Sequence, residues 1–255
     1  MGDIMNFVIL MHSTQDTINI MIAIGFLLIS YLIGSIPNGI IIGKLLCGID
    51  IREHGSKNIG STNAIRVLGK KVGFLVFFLD VFKGMVMIIV ARILHSNDIF
   101  FKDAIITNNL NVDYLIIGVS AIIGHSFSIF IGFKGGKAVA TSLGVISIIC
   151  PIASILCLIT FVITLFISGF VSLASTFAAI TVTTTMWIFY GVGVEEKSFL
   201  TYFISKQSLP ACIIVSIMAL LIIIKHRKNY IRLLNGTENN FKKAKLEKKK
   251  NKASE

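Results

Sequence analysis

Charge is scarce in this chain of 255 residues: Asp, Glu, Lys and Arg together make up 15% of it, where soluble domains carry about a quarter. Set beside a hydrophobic share of 55% and a mean hydropathy of +0.84, that scarcity excludes an ordinary soluble fold. Cysteine is equally uninformative as chemistry. Cys47, Cys150, Cys157 and Cys212 lie in or beside apolar segments and form no Cys-x-x-Cys pair, so neither a zinc site nor a disulfide framework is supported, and packing is their expected role. Acidic residues number 13 and form no cluster that would hold Mg²⁺, so no metal is expected. No basic stretch precedes the first apolar residues, which argues against a cleaved signal peptide. Internal repeats are missing too.

What is present is a series of apolar runs of roughly 20 residues, the length that crosses a bilayer. The net charge of +11 could suggest nucleic acid, but its placing does not. Eleven of the 24 Lys and Arg lie from Lys225 onward and six more between Lys44 and Lys71, beside spans. That is the positive-inside pattern, aided by attraction to anionic lipid, so the partner is the bilayer and not nucleic acid. The expected fold class is all-α: an integral membrane helix bundle of about seven transmembrane helices, some short or broken. One domain is expected over residues 1–240, with a basic, disordered tail at 241–255.

The expected spans are 18–46, 72–94, 113–133, 138–150, 151–167, 172–192 and 208–225, with external loops at 95–112 and 191–207. GSIPNG, Gly34 to Gly39, should bend the first at Pro37. Asp80 and Lys83 are an i, i+3 pair inside the second, and intramembrane charge is a functional suspect, with an interhelical ion pair the equal alternative. Parity favours the break at Pro151: with residues 44–71 and the tail on the cytoplasmic side, the spans between must be even in number, which gives seven in all, with five or six as the alternatives. The helix 138–150 would then be only about 20 Å long and must be packed inside the bundle. The N-terminus is expected outside and the C-terminus in the cytoplasm.

Three polar clusters should share the cytoplasmic face. The first, GSKNIGSTNAIRVLGKK from Gly55 to Lys71, brings two glycines, hydroxyls and amides to a helix starting near Ser61 or Thr62, with either hydroxyl a good cap. The second, FKGGKAVATS from Phe133 to Ser142, sets Gly135 and Gly136 between Lys134 and Lys137, a backbone-plus-cation anion site without the spacing of a Walker A loop. The third, KHRKNYIRLLNGTE from Lys225 to Glu238, puts His226, Asn229 and Leu233 on one face of a continued helix. SLAS, Ser172 to Ser175, lies on the same side. Alone, each cluster reads as a basic turn, a cap or interfacial polarity. Together they suit a site for two anionic groups. No G-x-S-x-G elbow, HExxH or His-x4-Asp pair is present, so no activated nucleophile is evident. A small organic-phosphate transporter is the competing class, opposed by the missing inverted repeat and by motifs gathered on one face. A purely structural membrane subunit would leave the glycines and hydroxyls unexplained.

In this order and at these separations, GSIPNG, the two glycine loops, SLAS and the KHRKN segment resemble the bacterial acyl-phosphate:glycerol-3-phosphate acyltransferases over residues 18 to about 240. The resemblance implies acyl transfer from acyl phosphate to glycerol 3-phosphate in phospholipid synthesis at the inner membrane. It implies no cofactor, and neither acyl-CoA nor acyl carrier protein as donor. It also implies a polar pocket lined by Ser56, Arg66, Lys137, Ser175, His226 and Asn229, with Asn58, Gly60, Thr62, Asn63, Gly135 and Gly136 against substrate phosphate. The general base stays open between His226 and a phosphate oxygen. Departures are few: Lys57 and Ser61 stand where the family usually has Gly and Ala, and Ala138 where it usually has Gly. An alanine there leads one to expect a negative φ at that position.

Overall fold

Backbone that crosses hydrocarbon must satisfy its own hydrogen bonds, which favours helix wherever the apolar runs are long. A computed structural model describes residues 2–96, 110–192 and 207–241, and no strand occurs among them. The helices are α1 Gly2–Ser35, α2 Asn38–Cys47, α3 Ser61–Val67, α4 Lys70–Ser96, α5 Leu110–Ser126, α6 Val139–Ile149, α7 Pro151–Ser168, α8 Val171–Val192, α9 Leu209–Lys225 and α10 Arg227–Leu234. Residues 97–109 and 193–206 of the expected external loops, and most of the expected tail at 241–255, lie outside the described residues; at the loop ends, 95–96, 110–112 and 191–192 are helical and not loop as expected.

The helix ends follow local chemistry. Pro37 separates α1 from α2. Cys150 breaks the chain between α6 and α7, and Pro151 opens α7 at a position where a missing N–H costs nothing. Gly169, at φ 75°, closes α7 in the left-handed conformation that glycine adopts without strain. Five helices are long and apolar enough to cross a bilayer alone, and α9 with α10, bent by 47°, makes a sixth. α6, the fourth of the seven expected spans, has 11 residues, about 16 Å. It is the short inner helix, and its Thr141, Gly144, Val145, Ile146 and Ile149 are buried.

α1 packs on α5, α4 on α5 and α6, α7 on α8, and α8 on α9. The α4–α6 contact is made at glycines. A Cβ on Gly84 would collide with the Thr141 carbonyl, and one on Gly144 with that of Val81. Without a hydrophobic drive between helices in lipid, such small residues let backbones approach and gain dispersion contacts. The shared core joins Ile88, Leu115, Ile117, Val145, Met186 and Cys212.

Asp80 and Lys83 form a buried pair in α4, Nζ to Oδ1 3.1 Å. They also reach out of their helix: Lys83 Nζ donates to the Ile36 carbonyl at 2.8 Å, and Asn38 Nδ2 donates to Asp80 Oδ1 at 3.0 Å. The pair thus ties α4 to the break between α1 and α2, where the Ile36 carbonyl accepts from both Lys83 and the Asn38 N–H.

Candidate active site

The first polar loop is built around one side chain. Asn63, at 1% exposure, donates through Nδ2 to the carbonyls of Ile51 (2.8 Å) and His54 (3.1 Å), and its Oδ1 accepts from the Ser56 N–H at 2.8 Å. All of its hydrogen-bonding groups therefore hold the loop itself. Asn58 Oδ1 takes the Gly60 N–H at 2.9 Å, so that pair is also internal to the loop. The expected hydroxyl cap is not the one used. Gly60, extended at φ −80°, caps α3 without a side-chain bond, and Ser61 and Thr62 are the first two helical residues. Farther out, Asp50 is held between Arg52 (2.6 Å) and Lys44 (3.3 Å), and the Arg52 guanidinium pulls its carboxyl well below the usual range.

The second loop lies on the C-terminal end of α5. The carbonyls there are nearly all taken by other elements: His125 O by the Gly136 N–H (3.0 Å), Ser126 O by Lys225 Nζ (2.9 Å), Phe127 O by the Tyr31 hydroxyl (2.8 Å) and Gly124 O by Ser35 Oγ (3.3 Å). Gly135 and Gly136 are needed for this seat, because a Cβ on either would collide with His125. The negative φ expected for Ala138 is wrong. Ala138 has φ 57° and Lys57 has φ 58°, so both positions where the family usually has glycine keep the left-handed backbone with a side chain on it. The turn geometry is imposed by the surroundings, and the Cβ strain, roughly 1–2 kcal/mol each, is tolerated.

The clusters meet at one end of the bundle. Lys137 Nζ donates to Asn229 Oδ1 at 2.6 Å, Asn229 Nδ2 donates to Glu238 Oε1 at 2.5 Å, and Arg232 Nε donates to Glu238 Oε2 at 3.0 Å. Arg66 lies within electrostatic reach of Glu238 and Arg232, with its guanidinium 5.6 Å from the Phe241 ring centre. Burial pushes Lys137 down to about 8, against the attraction of Glu238 and with the repulsion of Arg232 and Arg66. Burial lowers Arg66 as well. Three cations share one carboxylate, which leaves an excess of positive charge for an anion.

His226, at 1% exposure, sits at the bend between α9 and α10 with Nδ1 2.8 Å from the Ile222 carbonyl. A carbonyl only accepts, so Nδ1 carries the proton and Nε2 keeps its lone pair. Ser175 is buried on α8 beside Thr176, whose Oγ1 bonds the Tyr230 hydroxyl of α10 at 2.5 Å. The hydroxyls of Ser126, Thr141, Ser142, Ser172 and Ser175 are buried with no hydrogen-bond partner. The structure thus bonds Lys137 to Asn229 and sets Arg66 and His226 within electrostatic reach of Lys137, while Ser175 lies beside the Thr176 that bonds α10 and Ser56 is held by Asn63 in the first loop. Glu238 and Arg232 complete the cluster and were not expected there. The only sequence signal for them is an acid two residues past the helix-ending Gly236. Asn240 and Phe241, expected in or beside a disordered tail, pack on the α7–α8 turn: the Phe241 N–H donates to Gly169 O at 2.9 Å, and Asn240 Nδ2 to Ser168 O at 3.2 Å.

Comparisons bear on what this arrangement serves. Residues 24–236 match the model of the glycerol-3-phosphate acyltransferase family. A glycerol-3-phosphate acyltransferase of Acholeplasma laidlawii is 45% identical over 86% of this chain and 92% of its own length. One of Fusobacterium nucleatum is 39% identical over 85% and 97%. Among solved structures, PlsY, an integral membrane glycerol 3-phosphate acyltransferase, matches in its glycerol 3-phosphate form with a TM-score of 0.69 and 32% identity, covering 86% of this chain and 95% of that one. Its lysophosphatidic acid form matches with a TM-score of 0.67.

Proposed function

The chain belongs to the glycerol-3-phosphate acyltransferase family, and from that premise we propose that it moves an acyl group from acyl phosphate to glycerol 3-phosphate without an acyl-enzyme. The observation that carries this reading is the cationic cluster of Arg66, Lys137 and Arg232 around Asn229 and Glu238 at the end of an apolar bundle. Such a cluster holds phosphate, and the bundle offers an acyl chain its lipid-like wall.

An acyl phosphate is a mixed anhydride and already carries a good leaving group. The glycerol hydroxyl oxygen attacks the acyl carbon, and the bond from that carbon to the phosphate oxygen breaks. Phosphate leaves with the electron pair, and the hydroxyl proton passes to a base. His226 Nε2 and a phosphate oxygen both remain suited to that role. The products are 1-acylglycerol 3-phosphate and inorganic phosphate. The protein's task is to align the reactants and to stabilise the oxyanion, for which Lys137, Arg66 and the unpartnered Ser175 hydroxyl are the available donors. Ser56 and Thr62 would add hydroxyl contacts, with Gly135 offering its N–H. Asn58, Gly60, Gly136 and Asn63 would act by shaping the loops. Neither a metal nor a cofactor is called upon, and acyl-CoA and acyl carrier protein are not donors in this reading. The site would face the cytoplasm from the inner membrane, with the N-terminus outside.

Purified protein in detergent should release phosphate from palmitoyl phosphate only when glycerol 3-phosphate is present. Release that ignores glycerol 3-phosphate would overturn the reading. Radiolabelled palmitoyl phosphate supplied alone should leave no label on Ser175; stable label there would replace direct transfer with a covalent route.

A further inference from the structure

His125 lies outside every role assigned so far, yet its surroundings are specific. It is 4% exposed on α5, and its carbonyl accepts the Gly136 N–H. Its ring lies against the same glycine: a Cβ on Gly136 would run into Nε2. On its other side Nδ1 is buried with no hydrogen-bond partner and faces Asp80 Oδ1 at 3.8 Å, within ion-pair range but beyond a hydrogen bond. That same Asp80 oxygen takes the Lys83 ammonium and the Asn38 amide, and Lys83 continues to the Ile36 carbonyl. A line of polar groups therefore runs from the α1–α2 break, through α4, to the underside of the glycine loop, open only at the 3.8 Å step from Asp80 to His125.

We propose that His125, backed by the Asp80–Lys83 pair, is a positioning residue whose ring sets the height and tilt of the Gly135–Lys137 loop. Three observations support this over a packing role. A buried charged pair inside a membrane bundle is expensive, and here, besides bonding each other, its members reach the α1–α2 break and face the His125 ring. An orphaned ring nitrogen 3.8 Å from a carboxylate leaves room to tighten when the loop above takes a load. And the ring fills the space under a glycine whose neighbour Lys137 belongs to the anion cluster. Movement of the ring by a fraction of an ångström is passed to the loop, since backbone and side chain of His125 both touch Gly136. The proposal rests on the reading that this loop binds a substrate phosphate.

The test uses full-length protein in detergent, with KM for glycerol 3-phosphate, kcat and thermal unfolding measured together. His125→Ala should raise KM about tenfold or more, because the sagging loop costs the Lys137 ammonium its charge-assisted bond to the bound anion, while kcat changes less than about threefold. His125→Gln, which restores reach and volume under the loop, should recover most of the affinity. Gly136→Ala should show the same KM rise in the wild-type background and a much smaller one in His125→Gln, whose flexible side chain gives way to the added methyl. That comparison stands even if His125→Ala does not fold. Unchanged KM in folded His125→Ala overturns the proposal, as does an equal Gly136→Ala effect in both backgrounds. Lys137→Ala reports on the underlying reading separately: if it leaves KM for glycerol 3-phosphate unchanged, the loop is not a phosphate site at all, whatever His125 does.

Discussion

Burial and like charge both press on Lys137, and together they bring its titration to about 8, close to the pH at which a cell works. The ammonium is present below that value and is lost as pH rises through it, so in the free protein anion affinity should be full near neutrality and decline above about 8. The KM for glycerol 3-phosphate is expected to climb above that pH in wild type. Lys137→Arg, which stays charged throughout, should delay the climb; a wild-type KM that is flat through this range would remove Lys137 from phosphate binding. Arg66→Ala should lower acyl transfer about 10- to 150-fold in folded protein, the worth of one bond between charged groups at roughly 1.5–3 kcal/mol. Backbone strain gives a prediction of the opposite sign. Lys57 is exposed and held at φ 58°, so Lys57→Gly relieves Cβ strain and should stabilise by about 1 kcal/mol after glycine's entropic cost. For a chain of this size that raises the unfolding temperature by about 2–4 °C. Ala138→Gly should gain less, because its methyl is buried in the core and would be lost.

Elements that end for local reasons could be read from the sequence, and those that end for tertiary reasons could not. Pro151 at the start of α7 and Gly169 after its end are signals that need no partner, and both breaks fall where the residues place them. The short α6 followed from counting crossings, because positive charge on both flanking segments reads as placing them on one side of the membrane. Glu238 was illegible. Its bonds to Asn229 and Arg232 form because the chain turns back over α10 at Gly236, and no local pattern reports which side chains that return meets. Asn63 was visible as a polar residue of the loop, but its three bonds reach back as far as Ile51, a distance that no local pattern reports. The glycines of α4 and α6 were likewise visible, but the partners they face were not. Gly84→Val would push α4 off the Thr141 carbonyl, and overpacking of this kind costs about 1–3 kcal/mol. Thermal unfolding in detergent should show the loss, while Gly25→Val, which has nothing within 4 Å, should not.

At the level of the whole molecule, every polar cluster singled out in the sequence lies at one end of the bundle, and the Cys150–Pro151 break lies at the other end of α6. A reporter enzyme fused after Glu255 should be active only if it works in the cytoplasm; activity of a periplasm-dependent reporter would invert the proposed orientation. The chain after α10 also closes the site physically, with Glu238, Asn240 and Phe241 bonded to Asn229, Ser168 and Gly169. Truncation after Leu234 should therefore abolish transfer, while truncation after Phe241 should retain it, as assayed by phosphate release.

That closing segment also sets a schedule. Arg66 and Lys137 leave the ribosome early and enter the membrane well before residues 238–241 exist, so a half-made chain holds the cations without the carboxylate and the ring that order them. Residues 238–241 are made after the cations they meet, so synthesis puts the positive charge in place first and its counter-charge later. A chain stopped before Glu238 should therefore carry the cations without transferring acyl groups, which phosphate release by the chain truncated after Leu234 would report.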